Sequence, residues 1–421
     1  MKKKITLLLV SVFSVITAAA QETSPGQTAD TEKRLGKLEG EVAKLKKLKI
    51  SGYIQGQFQW GDEASSLKVG SANENPEKSY NRFGIRRGRL KFTYETGVAS
   101  AVFQLDVTEK GVGFKDAYLN LRDPWIKSLQ MRAGVFDRPF GYEISYSSSR
   151  RESPERSTIF QTLFPDERDL GAMLVLQAPE SSPWSVLKLS GGLFSGNGIK
   201  QETDNRKDFI GHLSAAKQWD KVSFGGGVSY YNGGVYQGTA NVYKMNGSTF
   251  TLNDNVTNTG KFAKREYIGF DLEFSVKSPL GKTQLHGEYL FGQQPGTDKS
   301  TKSPNASTLP SGDTYIRDFS GGYVMLVQGL GRSPVAIVAK YDWYDPNTKV
   351  SKNDIGLSDS NTGKTDISRN TLGIGALWNI NSDIRLTAYY EFNGNEKSNN
   401  IAGFGKNIKD DVFTLRLQYK F

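Results

Sequence analysis

The chain has 421 residues, no cysteine, 45 glycines, a formal charge of +10 and only 37% hydrophobic residues. Without cysteine it holds no disulfide framework, thiol nucleophile or Cys-ligated metal. No apolar run long enough for a spanning helix follows Ala20, which excludes transmembrane helices but not strands.

Met1-Lys-Lys-Lys4 is a basic n-region, and Ile5 to Ala20 is an apolar stretch closing on Ala18-Ala19-Ala20. Residues 1–20 therefore read as a secretory signal peptide cut before Gln21, not as an N-terminal anchor, since a spanning helix needs ~20 apolar residues. Its loss removes three lysines and takes the charge from +10 to +7. Residues 21–49 read as a periplasmic segment, a polar linker over 21–30 followed by a helix from Thr31 to Leu48. Leu35, Leu38, Val42 and Leu45 recur at spacings of three and four, as in a short coiled coil. Such a helix either trimerises or packs as an amphipathic helix on the periplasmic rim; alone it is marginal.

From Ile50 the period falls to 2, as it does in strands whose side chains alternate between faces. Strands are expected at 50–60, 82–95, 99–108, 114–122, 129–137, 170–177, 184–195, 208–218, 221–232, 264–276, 282–292, 315–328, 334–344, 368–379, 382–393 and 410–421. Connections alternate between short turns and long polar loops, the largest being Gly61–Asn81, Pro139–Asp169, Gly233–Ala263, Gln293–Thr314 and Asp345–Ile367. Residues 50–421 thus read as all-β, an antiparallel transmembrane barrel of about sixteen strands.

The closing strand carries this reading best. Phe413, Leu415, Leu417, Tyr419 and Phe421 share one parity, while Thr414, Arg416, Gln418 and Lys420 share the other. A greasy outer face, a charged inner face and a terminal aromatic resemble the last strand of an outer-membrane barrel, and the terminal Phe resembles the signal read by barrel-assembly machinery. All six tryptophans fall near strand ends, where an amphipathic ring is most stable, and Tyr53, Tyr94 and Tyr419 are expected to extend the inner girdle.

On the other parity, Arg87, Arg89 and Lys91 are expected to face the lumen, with Arg122, Arg132, Lys188, Lys340 and Arg385. Asp106, Asp116, Asp271, Glu273, Glu288 and Glu391 face it too, making the interior polar and wet. Phe83 and Ile85 break the parity of their strand, so a bulge is expected near Arg86-Arg87-Gly88. The third external loop holds Arg150, Arg151 and Arg156, and sits where porins fold a constriction into the lumen. Several guanidiniums on one wall suit phosphate or carboxylate groups.

Arg86-Arg87-Gly88-Arg89-Leu90, Phe114-Lys115-Asp116-Ala117-Tyr118-Leu119 and Gly134-Val135-Phe136-Asp137-Arg138-Pro139-Phe140-Gly141-Tyr142-Glu143 resemble blocks of the phosphate-selective porin O and P family. The resemblance implies a homotrimeric sixteen-stranded channel in the outer membrane of a Gram-negative bacterium. It also implies passive diffusion of small solutes with a preference for small anions such as phosphate. The anion-binding candidates are Arg87, Arg89, Lys91, Arg132, Arg150, Arg151 and Arg156.

Two histidines, His212 and His286, leave few members for Ser-His catalysis or a zinc site, and no cofactor is implied. Gly281-Lys282-Thr283 copies the end of a P-loop, but Val276 stands where the upstream glycine belongs. The basic balance fits a basic lumen and loops contacting lipopolysaccharide and outer-membrane lipid better than nucleic acid. A membrane-barrel enzyme and a surface adhesin or structural barrel are the alternative readings.

Overall fold

The computed structural model describes residues 25–421, so the signal-peptide reading lies outside the described residues. The chain divides between Lys49 and Ile50 into two units. Of the first, the described part is chiefly helix α1, Pro25–Leu45. It starts inside the expected linker, because Pro25 has the fixed φ that suits a first helical turn. It stops before Leu48, which opens a strand. Leu35, Leu38, Val42 and Leu45 are all exposed along it.

The sheet begins with β1 (Leu48–Gly61), β2 (Tyr80–Thr96), β3 (Ala99–Thr108), β4 (Gly111–Arg122) and β5 (Leu129–Asp137). The third loop follows, containing helix α2 (Thr158–Leu163). Next come β6 (Arg168–Gln177), β7 (Leu187–Phe194), β8 (Asp208–Gln218) and β9 (Val222–Tyr236). A loop hairpin, β10 (Val242–Asn246) and β11 (Thr249–Asn253), precedes β12 (Phe262–Ser278) and β13 (Gly281–Gly296). The wall ends with β14 (Thr314–Gly329), β15 (Val335–Asp345), β16 (Arg369–Asn379), β17 (Ile384–Asn395) and β18 (Val412–Lys420).

Each wall strand pairs antiparallel with the next, β9 passing over the hairpin to β12. The ring closes where β18 pairs with β1, from Tyr53↔Lys420 to Gly61↔Val412. Leaving the hairpin aside, the eighteen-stranded sheet is a closed barrel of sixteen strands, and each occupies an expected position. The alternation of loop lengths is not strict, because β3 and β4 join through Glu109 and Lys110 alone on the long-loop side.

The outer surface is apolar. On β18, Leu415, Leu417, Tyr419 and Phe421 are exposed while Thr414, Arg416 and Gln418 are buried inside. Trp125, Trp184, Trp219 and Trp378 stand exposed at the turn side, and Tyr289, Phe291, Tyr341 and Trp343 cluster at the loop side. Such a band between two aromatic girdles is the surface of a barrel in a bilayer. Tyr53 is a correction: it is buried in the lumen, its hydroxyl 2.5 Å from Ser148 Oγ, and does not join the girdle.

The parity break on β2 falls where expected. Phe83 and Ile85 point outward, Arg87 and Arg89 inward, and the Gly88 N–H donates to the Asp106 carboxylate (2.9 Å). A second irregularity, not expected, shifts the β3–β4 register between Gln104 and Leu105, opposite Lys115. Lys115 is thereby turned toward Asp166 of the third loop (3.3 Å).

The interior is not uniformly wet. Phe140, Ile144, Ile159, Phe160, Leu163 and Phe164 of the third loop pack with inward-facing Phe194, Ile210, Tyr231, Tyr267, Phe319 and Tyr323 in one dry cluster. Burying each such side chain is worth roughly 1.5–3 kcal/mol, so the apolar cluster anchors the loop inside the lumen. A smaller core outside the wall, Val350, Ile355, Ile367 and Phe404 with Met245 and Ile401, knits the external loops to β10.

Candidate pore constriction

The third loop crosses the lumen. It leaves β5 through Phe140, whose ring lies against Gly269 of β12 where a Cβ would come within 2.7 Å. Gly141 (φ +59°) then turns the chain, a conformation that costs other residues steric strain. The Gly141 N–H donates to Ser229 Oγ of β9 (2.8 Å), and those of Tyr142 and Glu143 to Glu288 of β13 (2.9 and 2.5 Å). Lys340 of β15 holds Glu143 (2.8 Å), and Asp342 accepts from the Thr158 N–H (3.1 Å).

Further round the wall, Arg385 of β17 donates to the carbonyls of Arg150 and Arg151 (3.1 and 2.9 Å). Gln55 of β1 and Gln418 of β18 donate to those of Ser148 and Ser149 (3.0 Å each). Side chains from several wall strands therefore fix one loop inside the barrel.

The electrostatic centre of this arrangement is Glu155, which sequence reasoning did not single out. Arg86 reaches it through Nε and Nη2 (2.8 Å each), Arg87 through Nη2 (2.8 Å) and Arg416 through Nη2 (3.0 Å). Burial alone would raise this carboxyl, but the three guanidiniums hold it well below the usual carboxylate range. Arg416 was visible only as part of the charged parity of the closing strand.

The predicted residues divide by what they touch. Arg87 also donates to Gln55 Oε1 (3.0 Å), so both its contacts are structural. Arg156 clamps the loop to itself, donating to the carbonyls of Glu143 (2.8 Å) and Ile144 (2.9 Å) and pairing with Glu167. Arg89 makes a long bond to Asp106 (3.4 Å). Arg151 is buried, and none of its guanidinium nitrogens meets a hydrogen-bond partner among the described residues. Arg132 of β5 lies over the Tyr118 ring of β4 (4.6 Å) and the Phe136 ring (5.5 Å). Arg150 is exposed and lines a separate cavity of about 510 Å³ with Tyr142, Tyr146 and His286.

Two further cavities flank the loop on the β1–β5 side. One, about 240 Å³, is lined by Arg86, Arg87, Arg89, Lys115 and Arg156 against Asp106, Glu155, Asp166 and Glu167. The other, about 260 Å³ and nearer the turn side, is lined by Arg89, Lys91, Arg156, Arg168 and Lys420 against Asp116 and Asp137 only. Arg89 of the wall and Arg156 of the loop line both. His212 pairs with Asp271 (2.9 Å), and no group of three or more potential metal ligands occurs among the described residues.

No family profile and no curated protein matches the sequence. Solved structures do match by fold. OprB of Pseudomonas putida aligns over 92% of this chain and 97% of its own, at 9% identity and a TM-score of 0.57. An anion-selective porin from Comamonas acidovorans aligns over 89% and 99%, at 12% identity and 0.50. OmpT of Vibrio cholerae in a trimer form aligns over 89% and 99%, at 10% identity and 0.50. Closed barrel, apolar belt and shared fold together define the class, an outer-membrane barrel of the porin type with a loop inside its lumen.

Proposed function

We propose that the protein is a passive channel for small hydrophilic solutes in the outer membrane of a Gram-negative bacterium, with a preference for small anions such as phosphate. The observation that carries the preference is the cavity nearer the turn side, lined by five basic residues, Arg89 and Arg156 among them, against two acidic. The nearby carboxylates Glu155 and Glu167 already hold arginines, and Lys91, which lines this cavity, pairs with no carboxylate among the described residues. In a narrow space with low-dielectric walls such charges concentrate anions. The same preference is stated for the Comamonas protein. The resemblance to the phosphate-selective porin O and P family supports phosphate as the solute, and its blocks include Arg87, Arg89 and Arg86.

A trimer is proposed on the exposed leucine seam of α1 and on the trimer form of the OmpT structure. The precursor is proposed to lose residues 1–20 and to insert residues 50–421 with the help of barrel-assembly machinery. The test is the zero-current potential of single channels in a planar bilayer under a potassium chloride gradient. Anion preference gives the chloride sign, and a potassium sign removes the proposal.

A further inference from the structure

Hairpin β10–β11 folds across the outer rim, Val242, Tyr243 and Lys244 pairing in parallel with Thr314, Tyr315 and Ile316 of β14. Against it lies a cavity of about 420 Å³ whose wall-strand lining includes Lys264 of β12, Gln293 of β13 and Asp318 of β14. These positions have the outward parity: their neighbours Arg265, Gln294 and Arg317 are buried inside the barrel. The cavity therefore faces the lipid side of the wall and not the lumen.

Its height is fixed by the girdle. Two residues below Gln293 on the same face is Phe291, which packs on Tyr289, itself stacked on Trp343 (6.3 Å). Those rings mark the edge of the hydrocarbon layer, and two residues along a strand span roughly 7 Å. The cavity thus sits at the level of the outer-leaflet headgroups.

Its chemistry suits a phosphate on an apolar body. Lys244, Lys261, Lys264 and Lys349 line it against the single acid Asp318, and Val242 and Ile316 form part of its surface. Lys264 is held by Glu266 (2.6 Å) and Lys349 more loosely by Asp318 (3.6 Å), whereas Lys261 donates to the Thr257 hydroxyl (3.1 Å). A solvated rim also carries lysines, but these four converge on one concavity. We propose that this cavity binds the phosphate of an outer-leaflet glycolipid headgroup, with Lys244 and Lys261 as the principal donors and Lys264 and Lys349 completing the ring. The site lies outside the wall at β12–β14, away from the cavities on the β1–β5 side, and is independent of solute preference.

The test is native mass spectrometry of the folded barrel in detergent, with phosphorylated lipid A, the same lipid dephosphorylated, and inorganic phosphate as separate probes. The parent retains phosphorylated lipid A, and Lys244→Gln/Lys261→Gln/Lys264→Gln weakens that binding roughly tenfold or more. Unchanged single-channel conductance shows that the variant is folded. Should the triple variant fail to fold, Lys244→Gln alone, at an exposed position on the hairpin, still gives a measurable loss. Equal retention by parent and variants, or equal retention of the dephosphorylated lipid, overturns the site. Binding of inorganic phosphate without binding of lipid A overturns the lipid assignment.

Discussion

Arg416 of the closing strand donates to Glu155 of the third loop across 261 residues of sequence, at 3.0 Å and with both side chains buried. The bond ties the last strand of the barrel to the segment that narrows it. Arg86 and Arg87 share the same carboxylate, so Glu155→Gln leaves three guanidiniums without their counter-charge. Breaking a buried pair costs about 3–5 kcal/mol. The variant is expected to unfold at a lower temperature in a heat-modifiability gel and to show noisier open-channel current as the loop loosens.

The pH dependence of the loop follows from the same residue. The three arginines hold the folded pKa of Glu155 well below its unfolded value of about 4.3. Its stabilisation is therefore complete above the unfolded value and is lost as pH falls through the depressed folded value. Current noise is expected to match at about pH 7 and about pH 5, and to rise only in stronger acid. A rise already at about pH 5 would contradict the ion-pair geometry.

Phe421 extends the pairing that closes the barrel. Phe421 and Gly52 exchange backbone hydrogen bonds (3.0 Å each), and a Cβ on Gly52 would sit 2.6 Å from the Phe421 ring. Deleting Phe421, or Gly52→Val, is expected to lower the yield of folded barrel in the outer membrane severalfold. The measurement is the fraction of heat-modifiable protein, and normal yield from both variants counts against this closure.

Assembly provides a separate check. With Leu35, Leu38 and Leu45 exposed on α1, replacing all three by Ser is expected to weaken the trimer without abolishing it, the barrel wall supplying the remaining contact. Cross-linking in native membranes reads the oligomer, and a chain found only as monomer removes the trimer proposal.

The wall was legible in the sequence because each strand must turn apolar residues to lipid, and a period of 2 survives every loop insertion. The path of the third loop was not legible. Its anchors, such as Lys340 for Glu143 and Arg385 for the Arg151 carbonyl, come from strands far away in the chain. Parity also says only that a residue faces inward, not whether water is there. Tyr231, Tyr267 and Phe319 face inward, yet meet Phe140, Phe160 and Phe164 and stay dry. For the same reason Arg87 and Arg156 read as pore-lining although their donors are largely taken by Glu155, Gln55 and the loop backbone, while Glu155 itself was seen only as one charge of a dense loop. The hairpin β10–β11 was missed because its short strands sit inside a long polar loop.

The role of Arg89 and Arg156, which line both cavities beside the loop, is tested most directly by charge reversal at the wall residue. Arg89→Glu is the cleaner change, since Arg156 also holds the loop together through the carbonyls of Glu143 and Ile144. The measurement is the chloride-to-potassium permeability ratio of parent and Arg89→Glu single channels in a planar bilayer. The account predicts an anion-preferring parent and a ratio that falls severalfold, to or past unity, in a variant that is still folded. A parent ratio below unity, or a ratio that Arg89→Glu leaves unchanged, would contradict it.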